Sequence, residues 1–268
     1  MRRPLVLVAA AALLCAGCST ADAGDRDEPA AASSSSTSSS GSGSAVRAAV
    51  AALREASAEF RQEIELKGEG QVYGLTVTGG FDFAADRGHL AVDLPGGAID
   101  HSDQVFADGK IYISGVQGVG KAWGVLPRVK AQAHYLLRAP LNDPEHVLQQ
   151  IAAMREVSRE GEEKVHGVRA VRYRGILDHR TVTLRMAPDV RTKTDQARDI
   201  LGSDLPVFAD AWVDDRGRLV QTRMSANLSG AKVTLTMALS DIGEPVHVTV
   251  PKAADTIPVN EVSGILNG

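Results

Sequence analysis

Apolar positions early in the chain recur with the spacing of a helix. Between Val46 and Leu53 they come every three or four residues, which predicts an amphipathic helix. Ser44 is a suitable N-cap residue, so the helix is expected to begin after it and to reach at least Ala56. The following run, residues 60–66, alternates well enough to be either the end of that helix or a strand.

Beyond this run the dominant period is two, which is typical of strands. Asp108-Gly109 and the run from Asp214 to Gly217 are typical hairpin turns between such strands. Strands are predicted at residues 75–83, 89–94, 98–106, 110–113, 157–162, 168–177, 207–213, 218–228, 232–239 and 246–250. About ten short antiparallel strands therefore make up most of the folded chain.

Two helices interrupt the strands. Asp143 and Pro144 start the first, which runs to about Met154, because Pro is favoured at the first helical position after a capping residue. Residues 192–201 are predicted as the second, which Gly202 closes. This mixture predicts an α+β protein with one large, curved antiparallel sheet and helices packed on one face of it.

The chain begins with the features of an export signal. Arg2 and Arg3 are followed by an apolar stretch, residues 5–14, that is too short to span a bilayer. It ends in Leu-Cys-Ala-Gly-Cys18, which resembles the bacterial lipobox. We therefore expect residues 1–17 to be a signal peptide and Cys18 to carry a lipid that anchors the protein at the extracytoplasmic face of the plasma membrane. The alternatives are an ordinary signal peptide cut elsewhere and export by the twin-arginine route.

The segment after Cys18 has a composition that cannot bury a core. Residues 33–44 are nearly pure Ser and Gly, so residues 18–44 are predicted to form a disordered tether. A flexible coil of about 27 residues has a reach of roughly 28 Å. The folded domain is then expected over residues 45–254, with a C-terminal tail at residues 255–268.

Composition excludes some classes of protein. Of the 268 residues, 44% are hydrophobic and 23% charged, and the formal net charge is −4. A mildly acidic chain lacks the positive surface that nucleic acids require, so no nucleic-acid partner is expected. Both cysteines, Cys15 and Cys18, lie at the leader, which leaves no disulfide or cysteine metal site for the domain. The excess of arginine over lysine is typical of a high-GC genome and fits an actinobacterium.

The sequence shows no convincing catalytic pattern. Gly115 to Lys121 nearly matches a phosphate-binding loop, but Ala122 stands where a Ser or Thr must hold Mg²⁺. Residues 100–103, Asp-His-Ser-Asp, contain the residue types of a catalytic triad, yet neighbours on a strand point to opposite faces. The histidines are scattered singly, without the spacing of metal ligands. We therefore predict that the protein is not an enzyme and has no cofactor, catalytic residue or metal site.

The order of motifs along the chain resembles the actinobacterial LppX/LprA/LprF/LprG lipoprotein family. The resemblance spans about residues 46–252 and rests on a series of short motifs: Gly79-Gly80-Phe81-Asp82, Asp108 to Ile113 followed by Trp123, Tyr135, Leu141-Asn142-Asp143-Pro144, Glu160-Gly161, Val165 to Val168, Tyr173-Arg174-Gly175, Ala211 to Asp215, Arg218-Leu219-Val220, Leu239 to Val246 and Val248 to Pro251.

This resemblance implies a half-barrel like that of LolA and LolB, with helices on the concave face of the sheet and acyl chains between the two layers. It implies that the protein binds, and transfers, acylated cell-envelope lipids with two or three chains. The membrane and a lipid are the implied partners, and a membrane transporter is a further candidate. A non-enzymatic envelope sensor or protein-binding module on the same fold is the alternative.

Candidate cavity residues are apolar side chains at alternate strand positions. Phe81 and Phe83 share one face, Ile111 and Ile113 share another, and Leu235 and Met237 belong to a stripe of four with Val233 and Leu239. Trp212 stands on the other side of its strand from Val207, Ala209, Ala211 and Val213. Plain core packing is the competing interpretation for each of them. The low aromatic content, 4%, favours a cavity because small side chains leave more room.

Overall fold

A computed structural model of the chain describes residues 34–97, 99–116, 120–228 and 230–268. The predicted signal peptide, Cys18 and the first part of the predicted tether lie outside these residues. Within the described chain, no helix is long and apolar enough to cross a membrane.

The described residues build one unclosed sheet of twelve strands and four α-helices. The strands are β1 (Ser57–Gly68), β2 (Gln71–Asp82), β3 (Arg87–Asp93), β4 (His101–Ala107), β5 (Lys110–Ile113), β6 (Trp123–Pro127), β7 (Arg155–Val165), β8 (Val168–Leu177), β9 (Val207–Asp214), β10 (Leu219–Leu228), β11 (Ala231–Ser240) and β12 (Thr256–Pro258). The helices are α1 (Ser34–Arg54), α2 (Pro144–Ala152), α3 (His179–Val182) and α4 (Pro188–Leu201).

The sheet consists of two meanders joined at a seam. Strands β1 to β6 pair with their neighbours in chain order, and so do β7 to β11. Antiparallel pairing of β1 with β11 joins the two groups, with Phe60 opposite Leu239 and Ile64 opposite Leu235. All pairs are antiparallel except β12, which lies parallel to β6 at one edge.

The predicted fold class is confirmed: the protein is α+β, with one large, mostly antiparallel sheet. Strands β5 and β8 have the predicted bounds, and residues 60–66 belong to a strand rather than to the helix. The turn at Asp108 and Gly109 has positive φ at both residues, as a two-residue hairpin requires. Helix α2 begins at Pro144, and the side chain of Asp143 accepts a hydrogen bond from the backbone N–H of Glu145.

The main core lies between the inner face of the sheet and the helices. Helix α1 buries Val46, Val50 and Leu53 against this face and packs on β7, β9, β10 and α2. The helix begins at Ser34 and not after Ser44 as predicted. Its turn at Ser42 is buried, so packing offsets the poor helix propensity of Ser and Gly. Residues 34–44 belong to this helix, and the division between tether and folded domain stays a prediction.

The end of the chain also differs from the prediction. Residues 246–250 do not form a strand; they run past β3, where Arg87 donates a hydrogen bond to the carbonyl of Val248. Residues 246–250 alternate between apolar and polar because one side of the segment faces the protein, not because the segment pairs in the sheet. The predicted tail, residues 255–268, belongs to the domain, because β12 extends the sheet and Leu266 enters the main core.

A cluster of charged side chains next to the main core fixes the start of α2. Arg128 donates to both oxygens of the buried Asp143, at 2.8 and 2.6 Å, and Arg185 donates to the same carboxylate at 3.2 Å. The guanidinium of Arg128 lies 5.3 Å from the ring centre of Phe81 and 5.2 Å from that of Phe106. Burial would lower the pKa of Arg128, but the hydrogen bond and charge of Asp143 raise it above its ordinary value.

Candidate functional site

A cavity of about 420 Å³ opens at one end of the seam between the two meanders. It has the size of a small-molecule site and apolar walls. Strands β1, β2 and β11 supply one wall, and the segments around residues 94, 136 and 265 supply the rest. The described residues that line it are Ile64, Leu66, Tyr73, Gly74, Leu75, Leu94, Tyr135, Leu136, Arg138, Val233 and Ile265.

The local sequence explains why this wall is apolar. Glu69 and Gly70, both with positive φ, form a two-residue turn that fixes the register of β1 against β2. In this register Leu66 lies opposite Tyr73 on one side and opposite Val233 on the other. Side chains on paired residues share a face, so these three line the inner side together.

The rim of the cavity exposes large apolar side chains to solvent. Leu66, Tyr73, Tyr135 and Ile265 are between 41% and 55% exposed, although each lines the cavity. Exposed apolar groups that cluster around an opening are typical of a ligand or membrane contact. A second depression of about 270 Å³ shares Leu94 and Ile265 with the cavity.

The volume limits what the cavity holds. At roughly 30 Å³ for a water-sized group, 420 Å³ takes on the order of a dozen chain carbons. This corresponds to one acyl chain of moderate length. It is less than the two or three long chains expected from the sequence.

Arg138 is the only charged residue among the described residues that line the cavity. Its side chain is 5% exposed, and it donates to the carbonyl of Ile265 at 2.9 Å and to the side-chain oxygen of Asn142 at 2.6 Å. Its Nε–H has no hydrogen-bond partner within the described chain. Burial lowers the pKa of the Arg138 guanidinium from its ordinary value to about 10.

Asn142 connects this arginine to the C-terminal segment. Its side-chain amide donates to the carbonyl of Leu266 at 2.7 Å and to the side-chain oxygen of Gln104 at 3.3 Å, and Gln104 donates in turn to Asn267. The residues of this network are buried. They hold the segment that carries Ile265 against the end of the sheet and so complete the cavity wall.

Six of the seven predicted cavity residues lie on the inner face of the sheet. Phe81, Phe83, Ile111, Ile113, Leu235 and Met237 all belong to the main core. The two Phe side chains pack with a distance of 5.0 Å between ring centres. Leu235 lies next to the cavity wall, since its partner on β1 is Ile64. None of the six is among the residues that line the 420 Å³ cavity, so their contact with a ligand stays a prediction.

Trp212 lies apart from these six residues. It packs with Ala170 and Val220 in a small separate cluster, and its ring N–H donates to Glu163 at 2.6 Å. Its strand neighbours Ala211 and Val213 belong to the main core. Because successive side chains of a strand point to opposite faces, Trp212 does not share a cavity with Leu235. Trp212 therefore lies on the opposite face of the sheet from the other six candidates, and its contact with a lipid stays a prediction.

His101 and Asp103 of the triad-like run are in contact, but Ser102 does not join them. His101 is half exposed and its ring nitrogens lie 2.6 Å from Asp93 and 3.1 Å from Asp103. These two carboxylates raise its pKa. Ser102 is buried, and its hydroxyl donates to the carbonyl of Ser114. Among the described residues, no group of three or more His, Cys, Asp or Glu side chains could hold a metal ion.

Sequence reasoning missed most of the cavity wall. Val233 belonged to the predicted stripe, but Leu66, Tyr73 and Arg138 did not stand out. A usable signal existed for Tyr73, a large apolar residue close to a hairpin turn, where polar residues are usual. Arg138 follows Leu136 and Leu137 and precedes Ala139, and a charge inside an apolar run is a second such signal.

No model of a protein family matches this sequence, and neither does any curated protein sequence. Solved structures do match. The lipoprotein LppX of Mycobacterium tuberculosis is 13% identical, with a TM-score of 0.50, and the match covers 78% of this chain and 99% of LppX. LprF of Mycobacterium bovis is also 13% identical, with a TM-score of 0.48 and coverage of 80% and 98%.

A LolA-superfamily protein of Nitrosomonas europaea is 11% identical, with a TM-score of 0.33, and the match covers 81% of this chain and 97% of that protein. At these identities the comparisons bear on the fold alone, and the likeness to LppX carries that conclusion. The half-barrel that the sequence resemblance implied is therefore confirmed as the fold of this chain.

Proposed function

We propose that this protein is a membrane-anchored carrier that binds the acyl chain of a cell-envelope lipid in the cavity at the seam. The observation that supports this most directly is the cavity itself: about 420 Å³, apolar walls, and a rim of half-exposed Leu66, Tyr73, Tyr135 and Ile265. Binding of an acyl chain in this cavity removes both the chain and the apolar rim residues from water. Each buried methylene contributes about 0.8 kcal/mol, so a chain binds without many polar contacts.

The fold is consistent with this proposal. The inner face of an unclosed sheet must be covered, and where α1 and the segment around Arg138 leave it uncovered, an apolar space remains. Transfer of the lipid to another site, the membrane or a membrane transporter, belongs to the proposal as well. The chemistry requires no catalytic group, and the protein acts by binding.

Binding of alkanols of increasing length tests the cavity. The Cys18→Ala chain, which lacks the acceptor for its own lipid, is titrated with neutral alcohols of six to sixteen carbons by displacement of a fluorescent acyl probe. Affinity should rise about fourfold for each methylene, the equivalent of about 0.8 kcal/mol. It should level off near a dozen carbons, where the cavity is full.

A chain without saturable alkanol binding, or with affinity independent of length, would contradict the proposal. That result would favour the alternative, a sensor or protein-binding module. Native mass spectrometry of the same protein purified from its own host identifies the lipid, and a copurifying species with at least one acyl chain is expected.

Anchoring at Cys18 is the second part of the proposal. The lipobox-like sequence supports it, and its test is independent of the cavity. The Cys18→Ala substitution should move the protein from the membrane fraction to the soluble fraction while alkanol affinity stays unchanged. Retention of the variant on membranes would show that another part of the chain holds it there.

A further inference from the structure

We infer that the ligand carries an acidic group, a carboxylate or a phosphate, and that Arg138 binds this group at the inner end of the cavity. The inference rests on the proposed function and adds the chemical class of the ligand. The observation behind it is a buried cation in an apolar wall for which the described chain provides no anion.

The two most buried arginines of the described chain differ in their partners. Arg128 is 9% exposed and makes a bidentate ion pair with Asp143. Arg138 is 5% exposed, and its two partners are the neutral oxygens of Ile265 and Asn142. Buried charges are ordinarily paired, because an unpaired one loses its hydration without compensation.

The geometry leaves one donor of Arg138 available. The terminal nitrogens donate to Ile265 and Asn142, which fixes the plane of the guanidinium. The Nε–H is buried and has no partner within the described residues. Because Arg138 lines the cavity, a small movement of its guanidinium would bring this buried donor to a ligand oxygen, which would then receive a charge-assisted hydrogen bond.

The buried position of the Arg138 guanidinium is energetically unfavourable for its charge. A guanidinium remains protonated in proteins, so the lowered pKa of Arg138 reflects how unfavourable its buried charge is. An anion in the cavity removes this penalty, whereas a neutral ligand leaves it in place. The wall therefore discriminates between ligands by charge as well as by chain length.

The backbone around Arg138 has several residues with left-handed φ. Leu137, directly before it, has φ 59°, and Leu141 and Asn142 have φ 48° and 56°. Left-handed φ is unfavourable for residues other than glycine and is concentrated at functional sites. The strained turn brings Arg138 from a buried segment to the wall of the cavity, where packing alone would favour an apolar residue.

The experiment compares four ligands with the same twelve-carbon chain: dodecanol, dodecanoate, dodecyl phosphate and dodecyltrimethylammonium. They are measured below their micelle concentrations at pH 8 on the Cys18→Ala chain. One hydrogen bond to a charged group is worth about tenfold or more in affinity, so the preferred anion should exceed dodecanol by at least that factor. Dodecyltrimethylammonium should bind more weakly than dodecanol. The stronger of the two anions distinguishes a carboxylate ligand from a phosphate ligand.

Substitutions assign the preference to Arg138. In the Arg138→Gln and Arg138→Met variants the ratio of anion affinity to dodecanol affinity should fall to about one, whatever the change in absolute affinity, while Arg138→Lys keeps part of the preference. Arg216→Gln removes the same charge from an exposed turn and should change nothing. The inference is overturned if the anion preference survives in Arg138→Gln, or if the unsubstituted domain shows no anion preference. In either case, alkanol binding would still support the carrier function. Failure of all four ligands to bind contradicts both.

A measurement without any change at Arg138 covers the case in which its variants do not fold. In protein labelled with ¹⁵N-arginine, dodecanoate or dodecyl phosphate should shift the resonance of one buried Nε–H group, and dodecanol should not. Equal spectra with the anions and the alcohol would overturn the inference.

Discussion

The cavity should lose about half of its capacity when Val233 is replaced by tryptophan. Val233 lies on β11 opposite Leu66, and its side chain points into the cavity. Tryptophan carries about seven more side-chain atoms than valine, and at roughly 30 Å³ for a water-sized group they take about half of the 420 Å³. The affinity of the Val233→Trp variant for alkanols should therefore level off at about six or seven carbons.

The expected loss follows from the displaced methylenes. Seven of them, at about 0.8 kcal/mol each, are worth about 5–6 kcal/mol if all are expelled into water. Because the cavity is open on one side, part of the chain still contacts the apolar rim. We expect about half of that figure, close to 3 kcal/mol, which is about a hundredfold weaker binding of dodecanol. Hexanol should lose much less.

A matched control separates blocking from misfolding. Thr234 is next to Val233 on β11 and points to the outer face, so Thr234→Trp adds an indole ring without entering the cavity. It should bind dodecanol like the unsubstituted domain. The reasoning fails if Val233→Trp binds dodecanol normally, or if both variants lose affinity equally while urea unfolding shows both to be folded.

Three further predictions concern the frame of the site. Asp143→Ala leaves Arg128 and Arg185 without their shared carboxylate and should lower the free energy of unfolding, measured in urea, by about 3–5 kcal/mol. Asp215→Ala in an exposed turn should have little effect, and equal losses in the two variants would contradict this role of Asp143. Burial lowers the pKa of His146 from 6.5 to about 4, so the free energy of unfolding should be highest above pH 6.5 and fall by about 3 kcal/mol towards pH 4. The His146→Leu variant should lack this part of the pH dependence. A Cβ at Gly79 would lie 2.1 Å from the carbonyl of His89, so Gly79→Ala should lower the free energy of unfolding by about 1–3 kcal/mol. Gly74→Ala should be tolerated, because its Cβ would lie 3.6 Å from the nearest atom, and thermal unfolding compares the two variants.

Local patterns were sufficient for most of the fold. Strands β5 and β8 could be predicted because their alternation and turn residues agree with the final structure. Helix α2 was predictable because Asp143 and Pro144 form an explicit start signal. The start of α1 could not be predicted, since Ser and Gly disfavour a helix in isolation.

The candidate site was much harder to predict than the fold. Its wall consists of residues from β1, β2, β11 and the C-terminal segment, which are far apart along the chain. Alternation identified the inner face, on which Phe81 and Leu235 indeed lie, but it does not show where that face is left uncovered. Arg138 is in a segment of irregular backbone, where no periodic pattern indicates which way a side chain points.

The seam has a consequence for how the protein folds. Strands within each meander are neighbours in the sequence and pair early, whereas β1 must wait for β11, with Phe60 and Leu239 as one of the last pairs to form. The cavity walls come from both sides of this seam, so the cavity is completed only when nearly the whole chain is available to pair. An acyl chain that binds only the closed seam, as proposed above, would stabilise the folded state by mass action, so that lipid binding and completion of the fold would be coupled.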